Sequence, residues 1–328
     1  MSFFRGQALR IVIAGGSGQM GSTLAAHFQA AGHHVTILTR APYTANWPTV
    51  YWPSVPTPGV HSPGNYGTES VGDAPDWIST LEGADVLVNL CGSRLARPWT
   101  ERTRRALLNS RIGTTELLGR VIARLDQPPP LWINASAAAI GTQQPNRPPV
   151  NVRGALSRLI DGWEAAFFSA QTPSTRKIAL RSALFLSSEP GNRFGLLSRL
   201  TLLGLGGTLG SGRQTVAWIH ATDFARAIDF LIEHEELDGA INLSAPFPLT
   251  SRAFMSELRE VWDRPNGLPW PRPLLYLLSR LWRADAELLL SSCHALPGQL
   301  ERAGFRFEFP DWPKAAADLA RQCRDRDR

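Results

Sequence analysis

A run of glycines near the start of the chain constrains its fold more than any other feature. The apolar stretch Ile11-Val12-Ile13-Ala14 leads directly into Gly15-Gly16-Ser17-Gly18-Gln19-Met20-Gly21. Apolar residues then recur every four positions, at Met20, Leu24 and Phe28, which is the spacing of a helix face. The stretch therefore predicts a buried strand of a parallel sheet, then a tight turn, then a helix.

Glycine serves three purposes in a turn of this kind. It lets the backbone turn tightly, lets a pyrophosphate reach main-chain N–H groups, and lets the helix pack against the strand. The glycines fit the spacing Gly16-x-Gly18-x-x-Gly21 and equally Gly15-x-x-Gly18-x-x-Gly21. We predict that this turn binds a dinucleotide, and the alternative is an ordinary tight turn between a strand and a helix. The predicted contact residues are Gly15, Gly16, Ser17, Gly18, Gln19, Met20 and Gly21.

The end of the second predicted strand indicates which dinucleotide is bound. The residue that reads the adenosine ribose is expected about 20 residues after the glycines, and Arg40 occupies that position. An acidic residue there would bind the 2′-hydroxyl of NAD, whereas an arginine pairs with the 2′-phosphate of NADP. Arg40 therefore favours NADP(H), and the alternative is a solvated arginine that closes a strand.

Strands and helices alternate along the rest of the chain. The predicted strands span residues 34–39, 49–52, 85–90, 131–135, 177–185, 214–220 and 240–243, and the predicted helices span residues 100–125, 153–170, 194–203 and 223–233. This order predicts an α/β fold with a doubly wound parallel sheet of the Rossmann type. We place the NADP-binding domain at residues 1–186, with its final core strand returning at about 240–244. Residues 187–220 and 245–320 form a smaller C-terminal lobe over the crevice.

Composition excludes several other classes of protein. Cys91, Cys293 and Cys323 indicate neither a disulfide framework nor a zinc site, so a reducing, cytoplasmic location is predicted. The histidines show no metal-ligand spacing, and no metal is predicted. The first strand begins too early to leave room for a signal peptide. The most apolar late stretch, 274–290, is interrupted by charged residues, which argues against a membrane span.

The positive charge of the chain favours an anionic small molecule as its partner. The formal net charge is +6, which suits a phosphate-rich cofactor. Several arginines of the predicted helix 100–125 could suggest a nucleic-acid surface, but no aromatic residues lie between them for base stacking. They predict a solvated helix face, and nucleic-acid binding is not predicted. These residues are Arg102, Arg104, Arg105 and Arg111.

Several motifs together resemble those of the extended short-chain dehydrogenase/reductases. They are the glycine turn at 15–21, NLCG at 89–92, SRIGT at 110–114 and ASAA at 135–138. Three further motifs resemble an atypical subgroup labelled nucleoside-diphosphate-sugar epimerase-like, which has its own short C-terminal domain. They are LGLGGTLGSGRQ at 203–214, AWIH at 217–220 and the run from Leu296 to Phe307.

The resemblance implies roles for particular residues. It implies a Rossmann domain that holds NADP(H) and a small substrate lobe. By the same resemblance, Ser136 polarises a substrate oxygen, and the segment around His220 and Asp223 closes the lobe. The segment implied to line the adenine-side ribose is Asn89, Leu90, Cys91 and Gly92. Ser136 and His220 are the candidate catalytic residues, and the alternative is that Ser136 bonds to backbone while His220 packs beside Trp218.

The chain departs from this family at the proton donor. Extended family members use a tyrosine with a lysine four residues later, and in this subgroup a glutamate may follow four residues after that. If Glu164 marks that glutamate, Leu156 and Ile160 occupy the other two positions. None of the four tyrosines in the chain has a lysine four residues later. An unassisted serine hydroxyl titrates far above neutral pH, so a proton donor has to be found elsewhere.

Two classes of function follow. One is an NADP(H)-dependent, epimerase-like or dehydratase-like oxidoreductase that acts on a small molecule such as a sugar nucleotide. The other is a non-catalytic NADP(H)-binding sensor or regulatory protein. A proline-rich segment from Pro53 to Pro75 either covers the adenine end of the cofactor or contacts another subunit, as in a homodimer.

The assignment of Arg40 predicts the effect of Arg40→Asp. We expect NADPH affinity to fall about tenfold or more, because a charge-assisted hydrogen bond to the 2′-phosphate is lost and repulsion replaces it. NADH affinity should change much less, since NADH lacks that phosphate. Titration of both cofactors against tryptophan fluorescence measures the difference. An equal loss for NADPH and NADH would contradict the assignment.

Overall fold

A parallel sheet of seven strands forms the centre of the structure. The structure is a computed structural model, and it describes residues 7–40, 47–52, 76–93, 100–138, 152–270 and 291–326. The strands in chain order are β1 Arg10–Ala14, β2 His34–Thr39, β3 Thr49–Tyr51, β4 Val86–Asn89, β5 Leu131–Ala137, β6 Arg176–Ser182, β7 Leu184–Leu186, β8 Thr215–Val216, β9 Trp218–His220, β10 Gly239–Leu243 and β11 Leu249–Thr250. The sheet order is β10-β6-β5-β4-β1-β2-β3, and every neighbouring pair is parallel. The predicted doubly wound parallel sheet is confirmed, and the strand order reverses at β1.

The helices cover both faces of this sheet. They are α1 Gln19–Ala30, α2 Asp76–Ser79, α3 Glu101–Leu108, α4 Thr114–Ile122, α5 Val152–Phe168, α6 Arg193–Leu202, α7 Ala221–Glu233, α8 Ser251–Val261, α9 Gly298–Arg302 and α10 Trp312–Arg326, with a π-helical turn Asn109–Gly113 between α3 and α4. No helix in these ranges is both long and apolar enough to cross a lipid bilayer. The proline-rich segment 53–75 lies outside the described residues, so its two predicted uses stay predictions.

Alternate side chains of β1 enter two different apolar cores. Ile11 and Ile13 belong to the core that contains Leu24 and Phe28 of α1. Val12 and Ala14 belong to the opposite core, which contains side chains of α4 and α5. A strand buried on both faces has to be apolar at every position, which accounts for the continuous aliphatic run of β1.

Two predicted strands are each divided in the structure. The prediction of one strand at 177–185 is wrong, because the chain leaves the main sheet at Ala183. The Ala183 N–H donates to the Leu243 carbonyl, whereas the next residue, Leu184, donates to the Ala217 carbonyl. As a result β7 pairs with β9 in a separate small sheet. The predicted strand 214–220 is likewise divided into β8 and β9, and β8 pairs with β11.

The predicted helix 100–125 contains a π-helical turn that changes the environment of one arginine. Arg102, Arg104 and Arg105 are exposed, as predicted for a solvated face. Arg111 was expected on the same face, but only 7% of it is exposed. The wider π turn shifts the phase of the side chains that follow, and Arg111 lies within it. Arg111 therefore belongs to the interior.

A third apolar core lies in the C-terminal part of the chain. Trp312 of α10 stacks on Phe254 of α8, with ring centroids 4.0 Å apart, and meets Trp218 edge-on at 5.2 Å. The indole N–H of Trp312 donates to the Phe254 carbonyl (3.0 Å). This core joins β9 to α6, α8 and α10, so the segment that follows β7 and the segments that follow β10 pack together.

Asp223 ties the C-terminal segment to α7. Its side chain is completely buried and accepts hydrogen bonds from the N–H groups of Glu308 and Phe309, each at 2.8 Å. Arg226 donates to the same carboxylate at 3.0 Å. The charge lies in the first turn of α7, where the helix dipole stabilises an anion.

We expect Asp223→Ala to lower the free energy of unfolding by about 3 kcal/mol, because two buried N–H donors and one guanidinium would lose their acceptor. Urea denaturation followed by tryptophan fluorescence measures the change. Glu233→Ala, at an exposed position of the same helix, is the matched control and should change stability by less than about 0.5 kcal/mol. Equal effects of the two substitutions would contradict the anchoring role.

Candidate functional site

The turn between β1 and α1 is shaped by close backbone contacts. The Gly15 N–H donates to the Leu38 carbonyl (3.0 Å), and the Gly18 N–H donates to the Gly15 carbonyl (3.2 Å). Gly15 has a φ of +77°, a conformation that favours glycine. A Cβ on Gly21 would lie 2.4 Å from the Cα of Gly16. Gly15 and Gly21 are therefore required by the fold itself.

Gly18 is different, because the fold leaves space for a side chain there. A Cβ on Gly18 would meet only the Gly15 carbonyl, at an ordinary 3.6 Å. Gly18 is exposed and is the N-cap of α1, and it offers no side chain to the N–H groups of the first turn. Such N–H groups at a helix N-terminus bind phosphate. The turn therefore fits a pyrophosphate that approaches over Gly18.

The other predicted residues of the turn differ in their surroundings. Ser17 is exposed, whereas Met20 packs against the core beneath the turn. The side chain of Gln19 reaches the lobe, where its Nε2 donates to the Pro190 carbonyl (3.1 Å) and its Oε1 accepts from Asn192 (3.0 Å). Gln19 thus connects the turn to the segment that begins α6.

The segment after β4 touches the same turn. The Leu90 N–H donates to the Ala14 carbonyl at 2.8 Å. A Cβ on Gly15 would lie 3.0 Å from both the backbone nitrogen and the Sγ of Cys91. The structure therefore brings Leu90 and Cys91 to the edge where β1 ends, and their contact with the cofactor ribose stays a prediction.

Asn89 faces the interior of the fold. It is fully buried, its Nδ2 donates to the Oδ1 of Asn134 (2.6 Å), and its Oδ1 accepts from the Cys91 N–H (3.1 Å). These bonds fix the backbone path of the segment that meets the turn. A direct contact of Asn89 with a cofactor stays a prediction.

Two arginines surround Cys91. Arg40 is exposed at the end of β2, where the predicted 2′-phosphate contact requires it. Burial raises the pKa of the Cys91 thiol to about 12, and the charges of Arg40 and Arg111 oppose that shift. The thiol is therefore protonated at neutral pH.

Arg111 gives a structural reason for Gly92. The Nη2 of Arg111 donates to the Ser93 carbonyl (2.9 Å), and its Cζ lies 5.3 Å from the Trp163 ring. A Cβ on Gly92 would lie 3.0 Å from that Cζ. Burial lowers the pKa of the guanidinium to about 10, so Arg111 still carries its charge at neutral pH. Gly92 makes room for this buried cation, and its predicted role in cofactor binding stays a prediction.

Ser136 belongs to a hydrogen-bonded set of three side chains. Its Oγ–H donates to Oε1 of Glu164 (2.6 Å). Arg181 donates to both oxygens of that carboxylate, from Nε at 2.8 Å and from Nη2 at 2.6 Å. Burial raises the pKa of Glu164, but the bonds from Arg181 and Ser136 outweigh it, and the net shift is downward. The carboxylate is therefore ionised at neutral pH.

Sequence reasoning singled out Ser136 and used Glu164 only to locate the missing pair. It missed Arg181. The signal was present, because Ser136 and Arg181 are polar residues at the ends of two adjacent apolar strands, and they are directly paired in the register of β5 and β6. Leu156 and Ile160, in the positions of the missing tyrosine and lysine, are 1% and 8% exposed and pack in an apolar cluster.

His220 is the N-cap of α7. Its Nδ1 accepts from the Thr222 N–H (3.1 Å), its ring stacks on Phe309 at 4.0 Å, and its Nε2 lies 3.4 Å from Asp318. Only 1% of the residue is exposed, and burial lowers the pKa of the imidazole. The His220 ring thus packs against Phe309 in the interior, and none of these contacts leads to Ser136. Its catalytic role stays a prediction.

The fold and the turn together define a Rossmann-fold protein of the extended short-chain dehydrogenase/reductase type. Residues 11–154 match the family model described as the NAD dependent epimerase/dehydratase family, and residues 270–319 match a C-terminal domain of unknown function, DUF1731. The chain is 34% identical over 306 residues to an epimerase family protein of Mycobacterium leprae, which covers 90% of this chain and 91% of that protein. The chain belongs to the epimerase family.

Two further comparisons concern vertebrate relatives. The chain is 29% identical to the bovine epimerase family protein SDR39U1, with 95% of this chain and 99% of that protein covered. The crystal structure of human SDR39U1 with NADPH matches at a TM-score of 0.75 and 25% identity, and it covers 95% of this chain and 99% of that chain. The similarity therefore extends over nearly the whole length of both proteins.

Substitution by valine should have opposite effects at Gly18 and at Gly21, one on ligand binding and the other on folding. Gly18→Val should abolish dinucleotide binding and leave the protein folded, because only the approach of the ligand requires glycine there. Gly21→Val should destabilise the fold, because its Cβ collides with the backbone of Gly16. Circular dichroism reports folding and cofactor titration reports binding. Undiminished binding by Gly18→Val would remove the turn from the site.

Proposed function

We propose that this protein is an NADP(H)-dependent, epimerase-like oxidoreductase that acts on a small molecule such as a sugar nucleotide. The glycine turn and the uncapped start of α1 fit the pyrophosphate, and Arg40 fits the 2′-phosphate. The solved structure of the human relative contains NADPH. When bound, a nicotinamide cofactor of this kind accepts or supplies a hydride.

The position of Ser136 in the sheet supports a role at the reacting centre. In open α/β sheets a dinucleotide lies across the carboxyl ends of the strands at the switch point, which is here at β1. Arg40 follows β2 on one side of β1, and Ser136 lies near the end of β5 on the other side. A cofactor with its adenine half at Arg40 would extend toward Ser136.

The observation that carries the proposal is the set Ser136, Glu164 and Arg181. A lone serine hydroxyl is a poor acid or base, whereas this one is hydrogen-bonded to an ionised carboxylate. That partner supplies a route for a proton in a chain that has no tyrosine and lysine pair. The predicted cytoplasmic location and homodimer are kept as part of the proposal.

A specific observation favours the second candidate, a protein that binds NADP(H) without turnover. Leu156 and Ile160 are buried in an apolar cluster with Leu107 and Leu159. The tyrosine and lysine positions are therefore filled by side chains that transfer no proton. In this candidate, bound cofactor stabilises one arrangement of the lobe, and the contact of Gln19 with Asn192 connects the two.

Cofactor titration followed by a turnover screen separates the two candidates. NADPH and NADH are titrated against tryptophan fluorescence, and NADPH oxidation is then followed over a panel of carbonyl compounds and sugar nucleotides. NADPH binding with turnover supports the oxidoreductase. NADPH binding without turnover supports the non-catalytic protein, and the absence of NADPH binding contradicts both.

For the oxidoreductase we expect Ser136→Ala to reduce turnover about 10²-fold and to leave NADPH affinity within twofold, because the hydroxyl acts on the substrate and not on the cofactor phosphates. Ser157→Ala, at an exposed position of α5, is the matched control and should be unchanged in both measurements. Unaffected turnover in Ser136→Ala would make Ser136 a structural residue.

A further inference from the structure

The hydroxyl proton of Ser136 has a defined acceptor. Arg181 holds the Glu164 carboxylate by two hydrogen bonds, and an ionised carboxylate can only accept. The 2.6 Å distance between Ser136 Oγ and Glu164 Oε1 is typical of a hydroxyl that donates to an anion. The single proton of Ser136 is therefore directed to Glu164.

This arrangement determines what Ser136 offers to a ligand. A hydroxyl has one proton and two lone pairs, and here the proton is already donated. What remains toward a ligand is an acceptor. A carbonyl oxygen needs a donor, whereas an alcohol O–H needs an acceptor. The family resemblance implies that Ser136 polarises a substrate oxygen, which would require the Ser136 proton, and that proton is donated to Glu164.

We propose that the substrate is an alcohol, that its O–H donates to Ser136, and that Glu164 receives the proton through Ser136. This inference rests on the proposed function and adds the substrate class and the direction of proton transfer. Ser136 is the catalytic residue of the pair. Glu164 acts through Ser136 and is a positioning residue that also stores the proton.

The atoms and electrons of the step balance. The alcohol O–H bond breaks as its proton passes to Ser136 Oγ, and the Ser136 proton passes to Glu164 Oε1. The carbinol C–H bond breaks as its hydride goes to oxidised NADP, and the carbon–oxygen bond becomes a carbonyl. The Glu164 and Arg181 side chains are 13% and 37% exposed, so the stored proton can return to water.

The apolar cluster that contains Leu156 and Ile160 explains why the Glu164 carboxylate, and not a tyrosine, receives the proton. Ala137, the neighbour of Ser136 in β5, packs against this cluster. A side chain that reaches Ser136 from α5 has to come from one turn beyond Ile160, and Glu164 occupies that position. Leu156 and Ile160, at the tyrosine and lysine positions, thus form an apolar surface. The proton acceptor, Glu164, lies one turn further along α5.

Few charges act on Glu164, so the pH dependence of turnover can be related to the protonation of this one carboxylate. Among the described residues, Arg181 of β6 is the charged group that acts on this carboxylate, and Asp161 on α5 acts in turn on Arg181. The pKa of Glu164 is lowered, so the ionised form that accepts a proton predominates at neutral pH. Alcohol oxidation should therefore be independent of pH down to mildly acidic conditions. Carbonyl reduction needs protonated Glu164 and should rise about tenfold per unit as the pH falls.

The first test needs neither substrate nor turnover. The carboxyl carbon of Glu164 is followed by ¹³C NMR from pH 8 to pH 3 in the intact protein and is assigned by its loss in Glu164→Gln. We expect the carboxylate to titrate below the usual range of a glutamate, because Arg181 and Ser136 bond to its ionised form. Ser136→Ala should raise that pKa, because a hydrogen bond to the ionised form is lost.

A carboxyl group that is protonated at neutral pH would overturn the proposal, as would a pKa that Ser136→Ala leaves unchanged. Asp161→Asn is the matched control, because this exposed acid lies on the same helix and acts on Arg181. It should shift the pKa of Glu164 less than Ser136→Ala does.

The second test compares the two directions of the reaction. Cyclohexanol, glucose and UDP-glucose are offered with oxidised NADP, and cyclohexanone and other carbonyl compounds are offered with NADPH. Glu164→Gln should lower alcohol oxidation about 10²-fold, Glu164→Asp should restore part of it, and Asp161→Asn should leave it unchanged. If Glu164→Gln does not fold, the pH dependence of alcohol oxidation and of carbonyl reduction by the unmodified protein tests whether Glu164 receives the proton.

The outcomes separate this inference from the proposed function. Alcohol oxidation with the stated pH profile supports both. Turnover of carbonyl compounds that does not rise on acidification, or that survives Glu164→Gln, overturns the alcohol assignment and leaves the oxidoreductase in place. NADPH binding without turnover in either direction overturns the oxidoreductase and the inference together.

Discussion

Where α1 meets the turn after β1, a Cβ on Gly21 would lie 2.4 Å from the Cα of Gly16, so the helix approaches the turn this closely only because residue 21 is glycine. This approach brings the free N–H groups of α1 to the carboxyl edge of the sheet. The same edge receives Cys91 after β4, at the distance that Gly15 allows. Arg40 and Ser136 are placed by their own strands on either side of β1, so the site combines this close helix approach with the strand order of the sheet.

Segments from the C-terminal part of the chain are tied to α1 and to α7 by two contacts of different character. Gln19 contacts Pro190 and Asn192 from within the glycine turn. At the other point, the buried carboxylate of Asp223 binds two N–H groups of the segment before α10. The first contact is between neutral groups near the surface, and the second is an ionic anchor in the interior. An opening of the lobe would therefore break the Gln19 contact at a lower cost than the Asp223 anchor.

Much of the fold could be predicted because its strands carry local signals. The aliphatic run of β1 and the glycines that follow it specify a strand, a turn and a helix within about 20 residues. The division of 177–185 into β6 and β7 could not be predicted, because the apolar pattern continues while the hydrogen-bond partner changes. The inward position of Arg111 depends on a π turn that periodicity does not reveal. The set Ser136, Glu164 and Arg181 joins residues that are far apart in the chain, and only the register of β5 and β6 brings them together.

The two halves of the site differ in charge, and that difference can orient a bound dinucleotide. Arg40 ends β2 and Arg111 lies beside the segment that follows β4, and both positive charges act on Cys91. On the side of β5, the charge of Arg181 is neutralised by Glu164. Phosphate groups are attracted to the first half, because a net positive field concentrates anions there. A cofactor with its 2′-phosphate at Arg40 would place its nicotinamide end toward the neutral side, beside Ser136. Under the proposed function, charge therefore separates binding from chemistry, because the positive side attracts the anionic cofactor and the side of Ser136 directs a proton without adding net charge.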